Sequence, residues 1–401
     1  MALTFVAHNT PEPALYGAMA SILADLRQQA LAHLPVQWDR QRYADACQHV
    51  IAQGELVTSG LLWRERISGI SAGKVWRLDE LLSQHGDKDW VIPLGPAQLA
   101  TFSRLAREVR DFGVDYELIQ VDRAHQGYQF SRLTHDKGTQ AYWWRDRFGR
   151  WSANQAILPP VVSGRPLRIA LIGSHQDQAE SYPATLAALG DAADALAVEL
   201  DMLYLSPQTL DGSLHHLLRD IDGVLLPGGS DMRNVAGQIA VAHYCLSHAV
   251  PVLGLCLGMQ TMATAVIQQM SGSDRANLAE ADPLAPVKTF VPLSETPGHP
   301  VHRLGDRLMK MRAGTQLAAI LGEEFTLRYN HRFHLNPLFK EDLHAFGLTI
   351  AASDLSGTIA DGIEHSAHPF YIGVQGHPEL SSSPQRPHPL ITAFLQAAEK
   401  G

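Results

Sequence analysis

A chain of 401 residues with 45% hydrophobic content has enough apolar material for two or three domains. Its formal charge of −9 is uneven, with 17 basic and 17 acidic residues in 1–160 against 15 and 24 in 161–401, which argues against a general grip on nucleic acid. Cys47, Cys245 and Cys256 form no Cys-x-x-Cys pair and no even set, which argues against a disulfide framework and a structural zinc, no run approaches the roughly 18 to 20 apolar residues of a membrane span, and Met1–Pro13 lacks the basic-then-apolar order of a secretory leader; a cytoplasmic protein with no membrane partner is expected.

Residues 1–156 are expected to form a smaller α+β domain of unknown role. Helix formers predict helices over Pro13–Leu34, Gln41–Gln53 and Val75–Gln84, and an amphipathic helix over Pro96–Phe112. Strand-like stretches are Asp89–Leu94, Tyr116–Val121 and Gln140–Trp144. Gly69-Ile70-Ser71-Ala72-Gly73-Lys74-Val75 superficially suggests a phosphate loop, but the glycine spacing is one residue short and Val75 replaces the hydroxyl that would hold Mg²⁺. A turn between elements is the better reading. Paired Trp143 and Trp144 fill a core or an interdomain contact more often than they stack on a ring-shaped ligand.

A linker is expected over 157–167, where Pro159-Pro160 and Gly164-Arg165-Pro166 precede a clear strand, Leu167–Ile172. The rest, 168–401, alternates strand and helix as a doubly wound, mostly parallel α/β sheet does. Helices are expected over Tyr182–Leu189, Asp191–Leu200, Leu214–Leu218, Val235–His248 and Pro389–Lys400, and strands over Met202–Leu205, Gly223–Leu226, Ala249–Leu253 and Tyr371–Gln375. The region 273–365 is less regular and is expected to include antiparallel strands such as Val287–Val291 and Phe346–Ala351. Twenty histidines are present, yet there is no His-Glu-x-x-His, and His215-His216 and the stretch from His365 to His368 read as surface or loop residues rather than metal ligands.

The most informative stretch is Leu253-Gly254-Leu255-Cys256-Leu257-Gly258-Met259, lying between an apolar strand-like run and the helical run Met259–Met270. A side chain on so tight a strand-to-helix turn sits in strained backbone, and flanking residues without Cβ relieve the crowding. The sulfur would lie near a helix N-terminus, whose partial positive charge favours a thiolate. Taken alone, a Gly-x-Cys-x-Gly is equally compatible with a small buried apolar cysteine. The C-terminal strand Tyr371–Gln375, followed by Gly376-His377-Pro378-Glu379, tips the balance. Residues just beyond the C-terminal ends of parallel strands converge on one crevice, so His377 can meet Cys256 and take its proton, with Glu379 orienting the imidazole.

At these residues the chain, from about Arg168 onward, resembles the class I glutamine amidotransferases, and within them the glutaminase domain of the CTP synthases. Leu226-Pro227-Gly228-Gly229 resembles the oxyanion loop, Gly254-Leu255-Cys256-Leu257-Gly258-Met259-Gln260 the nucleophile elbow, and Val374-Gln375-Gly376-His377-Pro378-Glu379 the His-Pro-Glu segment. Ala276-Asn277-Leu278-Ala279-Glu280, the stretch from Arg328 to Asn336, and Ser382-Ser383-Pro384 with His388-Pro389-Leu390 resemble the CTP synthases in particular. The resemblance implies Cys256 as nucleophile, His377 as general base and Glu379 as the third triad member. It implies an oxyanion hole from Gly229 and the Leu257 N–H, and glutamine contacts from Gln260, Glu280 and Arg332. The implied reaction is hydrolysis of the L-glutamine side-chain amide through a thioester, with ammonia passed to an unknown acceptor, and neither a metal nor a cofactor is required.

Three positions depart from the family pattern: Gly376 stands in place of an aromatic residue, Ser230-Asp231-Met232-Arg233 in place of an aromatic and glycine, and Asn330 in place of a second arginine. The N-terminal 156 residues are also too short for the ATP-dependent synthetase domain of the CTP synthases and lack its Gly-rich nucleotide motif. Three readings follow: an amidotransferase whose ammonia is used by residues 1–156 or by a partner, as a synthetase subunit or within a homo-oligomer; a γ-glutamyl amide or peptide hydrolase using the same triad; and a non-catalytic regulatory or binding protein. The full Cys256–His377–Glu379 set argues against the third. Glu280 and Arg332 suit the charged ends of free glutamine and favour the first, while the missing synthetase domain favours hydrolysis or a partner.

Overall fold

The computed structural model describes residues 2–8, 10–85, 88–124, 127–131, 142–153, 164–210, 214–295, 298 and 300–400. Two compact units are formed, one from Met1–Ile51, Glu55–Pro159 and Gln176–Ala187, the other from Ala52–Gly54, Pro160–His175 and Ala188–Gly401.

The first unit is built on a seven-stranded sheet. Its strands are β1 (Ala2–His8), β2 (Ala30–Leu31), β3 (Trp90–Leu94), β4 (Asp115–Ala124), β5 (Gly127–Ser131), β6 (Trp143–Arg145) and β7 (Trp151–Ala153), in the order β2-β3-β1-β4-β5-β6-β7. The first four pair in parallel and the rest antiparallel. Alternation along β1 sends Val6 to one face, where helix α1 (Ala18–Leu26) packs through Met19, Ile22 and Leu23. Leu3 and Phe5 go to the other face, against Leu105 and Val109 of helix α2 (Phe102–Asp111). Both faces are therefore covered, as a parallel sheet requires.

The second unit holds a nine-stranded sheet. Its strands are β8 (Leu167–Leu171), β9 (Leu200–Tyr204), β10 (Gly223–Leu226), β11 (Val252–Leu255), β12 (Arg303–Met311), β13 (Glu324–His331), β14 (Leu348–Asp354), β15 (Ala360–His365) and β16 (Tyr371–Val374). They run in the order β9-β8-β10-β11-β16-β15-β14-β12-β13. The first five are joined by parallel pairings, the last four by antiparallel ones. The α/β class is thus present with an antiparallel extension, drawn from the less regular region 273–365. Helices α3 (Val235–His248) and α4 (Leu257–Ser271) contribute Val241, Ala242, Met262 and Val266 to the core beside Val224, Leu226 and Val252, and α5 (Pro389–Lys400) buries Phe394 and Leu395.

Several expected elements differ. Pro13–Leu34 is not one helix: a short turn at Pro13–Leu15, α1 and strand β2 replace it. The break falls at Gly17, whose φ of 84° a β-carbon would strain, and where such a carbon would lie 2.6 Å from Leu61 Cδ2. Gln41–Gln53 is turns followed by strand His49–Val50, because the Asp39 carboxylate captures the Gln41 and Arg42 N–H groups and tertiary pairing takes the rest. Pro96–Phe112 is interrupted at Thr101. The two helices expected on either side of Gly190 merge into Ala184–Leu196. The Gly69–Val75 stretch is a turn: Gly69 terminates helix Leu62–Ser68 at positive φ, Val75 pairs with His33, and Lys74 is bonded to Glu80 at 2.9 Å. Trp143 packs against the first unit's core, whereas the adjoining Gln140 lies outside the described residues. His368, expected on the surface, is buried and hydrogen-bonds the Cys245 carbonyl through Nε2 at 3.0 Å.

A buried ion pair supports the antiparallel half. Arg303 grips Asp361 through two bonds of 2.6 and 3.0 Å and lies 4.5 Å from the Tyr329 ring centroid. Asp361→Ala leaves the guanidinium buried without its counter-ion, and a loss of about 3–5 kcal/mol is expected, read as a shift of the urea midpoint at constant m-value.

Candidate active site

Cys256 is the first residue beyond β11 and the N-cap of α4, with φ 50° and ψ −103°. A non-glycine residue at positive φ is strained and persists only where its surroundings hold it. Here they do. The Cys256 N–H donates to Val374 O at 2.8 Å, and the elbow is too crowded to relax: a β-carbon on Gly258 would lie 2.1 Å from Leu226 O, and one on Gly254 2.4 Å from Met262 Sδ. Both glycines flanking the cysteine are therefore required by close approach.

Strand β16 lies beside β11 in parallel, with Leu255 opposite Val374, so the residues after each strand open onto the same edge. His377 and Glu379 sit at the start of the turn Pro378–Ser381, and His377 Nδ1 bonds Glu379 Oε1 at 2.7 Å. Both are buried. The His377 N–H is fixed by the Arg328 carbonyl at 2.8 Å. Burial works against a charged imidazole, but the Glu379 carboxylate and the Cys256 sulfur outweigh it and push the His377 pKa up to about 10. Nε2 has no hydrogen-bond partner among the described residues. The structure thus brings Cys256, His377 and Glu379 together.

Gly228 is packed against both, since a β-carbon there would lie 3.2 Å from His377 Cε1 and 3.4 Å from Cys256 Cβ. This places Gly229, the next residue, at the same edge. Its loop is pinned by Gln238, which donates to Pro227 O at 3.1 Å and accepts from Thr261 Oγ1 at 3.2 Å. Leu257 opens α4, and as its first residue has no intrahelical acceptor for its N–H.

Gln375 was quoted in the sequence motif without a role, and the structure gives it one. Its Nε2 lies 3.5 Å from Cys256 Sγ, its Oε1 accepts from Gln260 Nε2 at 3.2 Å, and its N–H donates to Asp361 O at 2.9 Å. Gln260 is left with a buried Oε1 that has no partner among the described residues. Cys256 Sγ also reaches the Asn330 carbonyl at 3.8 Å, and Asn330 Oδ1 bonds His302 Nε2 at 2.9 Å, so the residue standing at the family's second arginine position is part of the site. Arg332, two residues on, and Glu280 are exposed and within electrostatic reach of each other. Desolvation raises the Glu280 carboxyl above its usual range, and Arg332 opposes that rise. At Gly376 the space for a side chain is already taken, because a β-carbon would lie 2.7 Å from Leu327 Cβ. Asp231 caps its own turn and pairs with Arg233.

Among the described residues no group of His, Cys, Asp and Glu is arranged to hold a metal, and no helix is long and apolar enough to cross a membrane.

Residues 187–397 match the family described as glutamine amidotransferase class-I, more than half of the chain, and the protein belongs to that family. The chain is 35% identical over 262 residues to a CTP synthase of Roseiflexus castenholzii, covering 64% of this chain and 46% of that one. It is 32% identical over 293 residues to a CTP synthase of Saccharopolyspora erythraea, covering 68% and 51%. It therefore spans about half the length of the curated relatives it matches. Among solved structures, the Trypanosoma brucei CTP synthase glutaminase domain with bound acivicin superposes with a TM-score of 0.55 at 28% identity, covering 58% of this chain and 94% of that domain.

The raised His377 pKa yields a prediction of definite sign. A histidine whose folded pKa lies above its unfolded value adds stability that is complete below the unfolded pKa and is lost as pH rises towards about 10. In Glu379→Gln the His377 midpoint, followed by NMR of the ring nitrogens, is expected to move down, and the stability gap from wild type to narrow with rising pH. An unmoved midpoint removes Glu379 as the cause.

Proposed function

We propose that residues 168–401 hydrolyse the side-chain amide of L-glutamine and supply ammonia to an acceptor handled by residues 1–156 or by a partner. The observation that carries this is the meeting of a strained elbow cysteine with the buried His377–Glu379 pair, 2.7 Å apart, in a chain of the class I amidotransferase family. In this reading the Cys256 proton already rests on His377, as the raised imidazole pKa favours, and the thiolate attacks the amide carbon. Gln375 and the N-terminus of α4 stabilise negative charge on sulfur. The tetrahedral oxyanion is met by the N–H groups of Gly229 and Leu257, donors of a kind worth about 3–4 kcal/mol each. His377 then protonates the departing ammonia, leaving a glutamyl thioester on Cys256, and next draws a proton from water, whose attack releases glutamate and restores the thiol.

The substrate's charged ends fit the remaining groups. Arg332 suits the α-carboxylate and Glu280 the α-ammonium, while the free Oε1 of Gln260 is a further acceptor. No cofactor enters this chemistry.

Cys256→Ala is expected to lower ammonia release from L-glutamine by at least about a thousandfold, with the circular dichroism spectrum unchanged, and release near the wild-type rate from that folded variant would sink the assignment. Glu379→Gln should cost less than His377→Ala. Gln375→Ala should lower kcat by about tenfold with little change in KM; steady-state kinetics showing an unchanged kcat would take Gln375 out of the mechanism.

A further inference from the structure

We infer that the first unit carries a binding site for a small anion, a phosphate or carboxylate group, in the cavity where β1 and β4 end, with Arg123 meeting the charge and His8 hydrogen-bonding the ligand. The cavity has a volume of about 450 Å³ and is lined by His8, the Thr10–Glu12 segment, Val121–Arg123 and Tyr128.

Topology puts it where an open α/β sheet takes ligands. From β1 the chain leaves through α1 to β2 on one side, whereas α2 carries it from β3 across β1 to β4 on the other. The carboxyl ends of neighbouring β1 and β4 therefore flank a point where the chain departs in opposite directions, and a crevice opens there. Register fixes which side chains face it: His8 stands opposite Val121, and Arg123 opposite Tyr128.

The chemistry of the lining favours an anion. His8 is 8% exposed, and neither ring nitrogen has a hydrogen-bond partner among the described residues. Folded proteins pair their buried polar groups, so an imidazole left with two open positions beside a cavity is suited to a ligand. Burial and the nearby Arg145 and Arg123 hold its pKa down to about 4, so at neutral pH it is a neutral donor and acceptor. The acidic groups of the lining are already engaged: Glu12 faces Arg145 at 3.9 Å, and Asp122 accepts from the Ser131 hydroxyl. Arg123 makes no ion pair among the described residues and lies 5.9 Å from the Tyr128 ring centroid. Beside the Glu12 and Asp122 carboxylates, the lining offers a ligand the Arg123 guanidinium, one neutral imidazole and an aromatic wall.

The test is isothermal titration of the full chain at pH 7.5 and fixed ionic strength, with inorganic phosphate and separately with malonate. A single saturable site for either anion is expected. Arg123 is exposed, so Arg123→Gln should keep the melting temperature while weakening binding by about tenfold or more. His8→Phe should also weaken it, and Cys256→Ala should bind as wild type, which separates this site from the glutamine chemistry. Binding by only one of the two anions identifies the headgroup. No saturable heat with either, or an Arg123→Gln variant that binds as tightly as wild type, overturns the proposal.

Discussion

The candidate site depends on one register: β11 beside β16 in parallel, with Leu255 opposite Val374 and the Cys256 N–H on the Val374 carbonyl. A side-chain period of two means that a one-residue slip would turn every side chain of a strand to the opposite face. Close packing prevents the slip. Helix α4 lies so near the sheet that a β-carbon on Gly373 would come within 3.0 Å of Met259 Cα, and Gly254 and Gly258 are crowded in the same way. Three glycines thus let the helix descend onto the strands, and the descent holds Cys256 at a φ it would not adopt alone. The strain at Cys256 is offset by the packing beneath it.

Much of this was legible because its signals are local. Buried parallel strands are short apolar runs, and glycines two residues on either side of a cysteine mark an elbow, so the strand-to-helix junction could be read from seven residues. Val235–His248 and Pro389–Lys400 end where expected, one at Ala249 with φ 56° and the other opening on a proline. Gln41–Gln53 misled because its composition is helical, while its structure is decided by the Asp39 carboxylate and by the pairing of His49 with Val57. Gln375 carries no signal of its own: the sulfur it meets is 119 residues away in sequence, and only the parallel pairing makes the two neighbours.

The Arg303–Asp361 pair bears on how a histidine comes to be charged in so crowded a place. His377 lies within the field of His331, which in turn lies 3.3 Å from an Arg303 nitrogen. A bare guanidinium there would oppose a proton on His377. Asp361 pairs with it, and burial together with the remaining Arg303 charge keeps His331 neutral, its Nδ1 donating to Phe333 O at 2.8 Å. Against the desolvation that burial imposes, the groups that raise the His377 pKa are Glu379 and Cys256. Buried ion pairs are poor sources of net stability, so the value of this one lies elsewhere. The same Asp361 gives its backbone carbonyl to the Gln375 N–H at 2.9 Å, and one residue of β15 thereby cancels an unwanted charge and positions the amide that points at the sulfur.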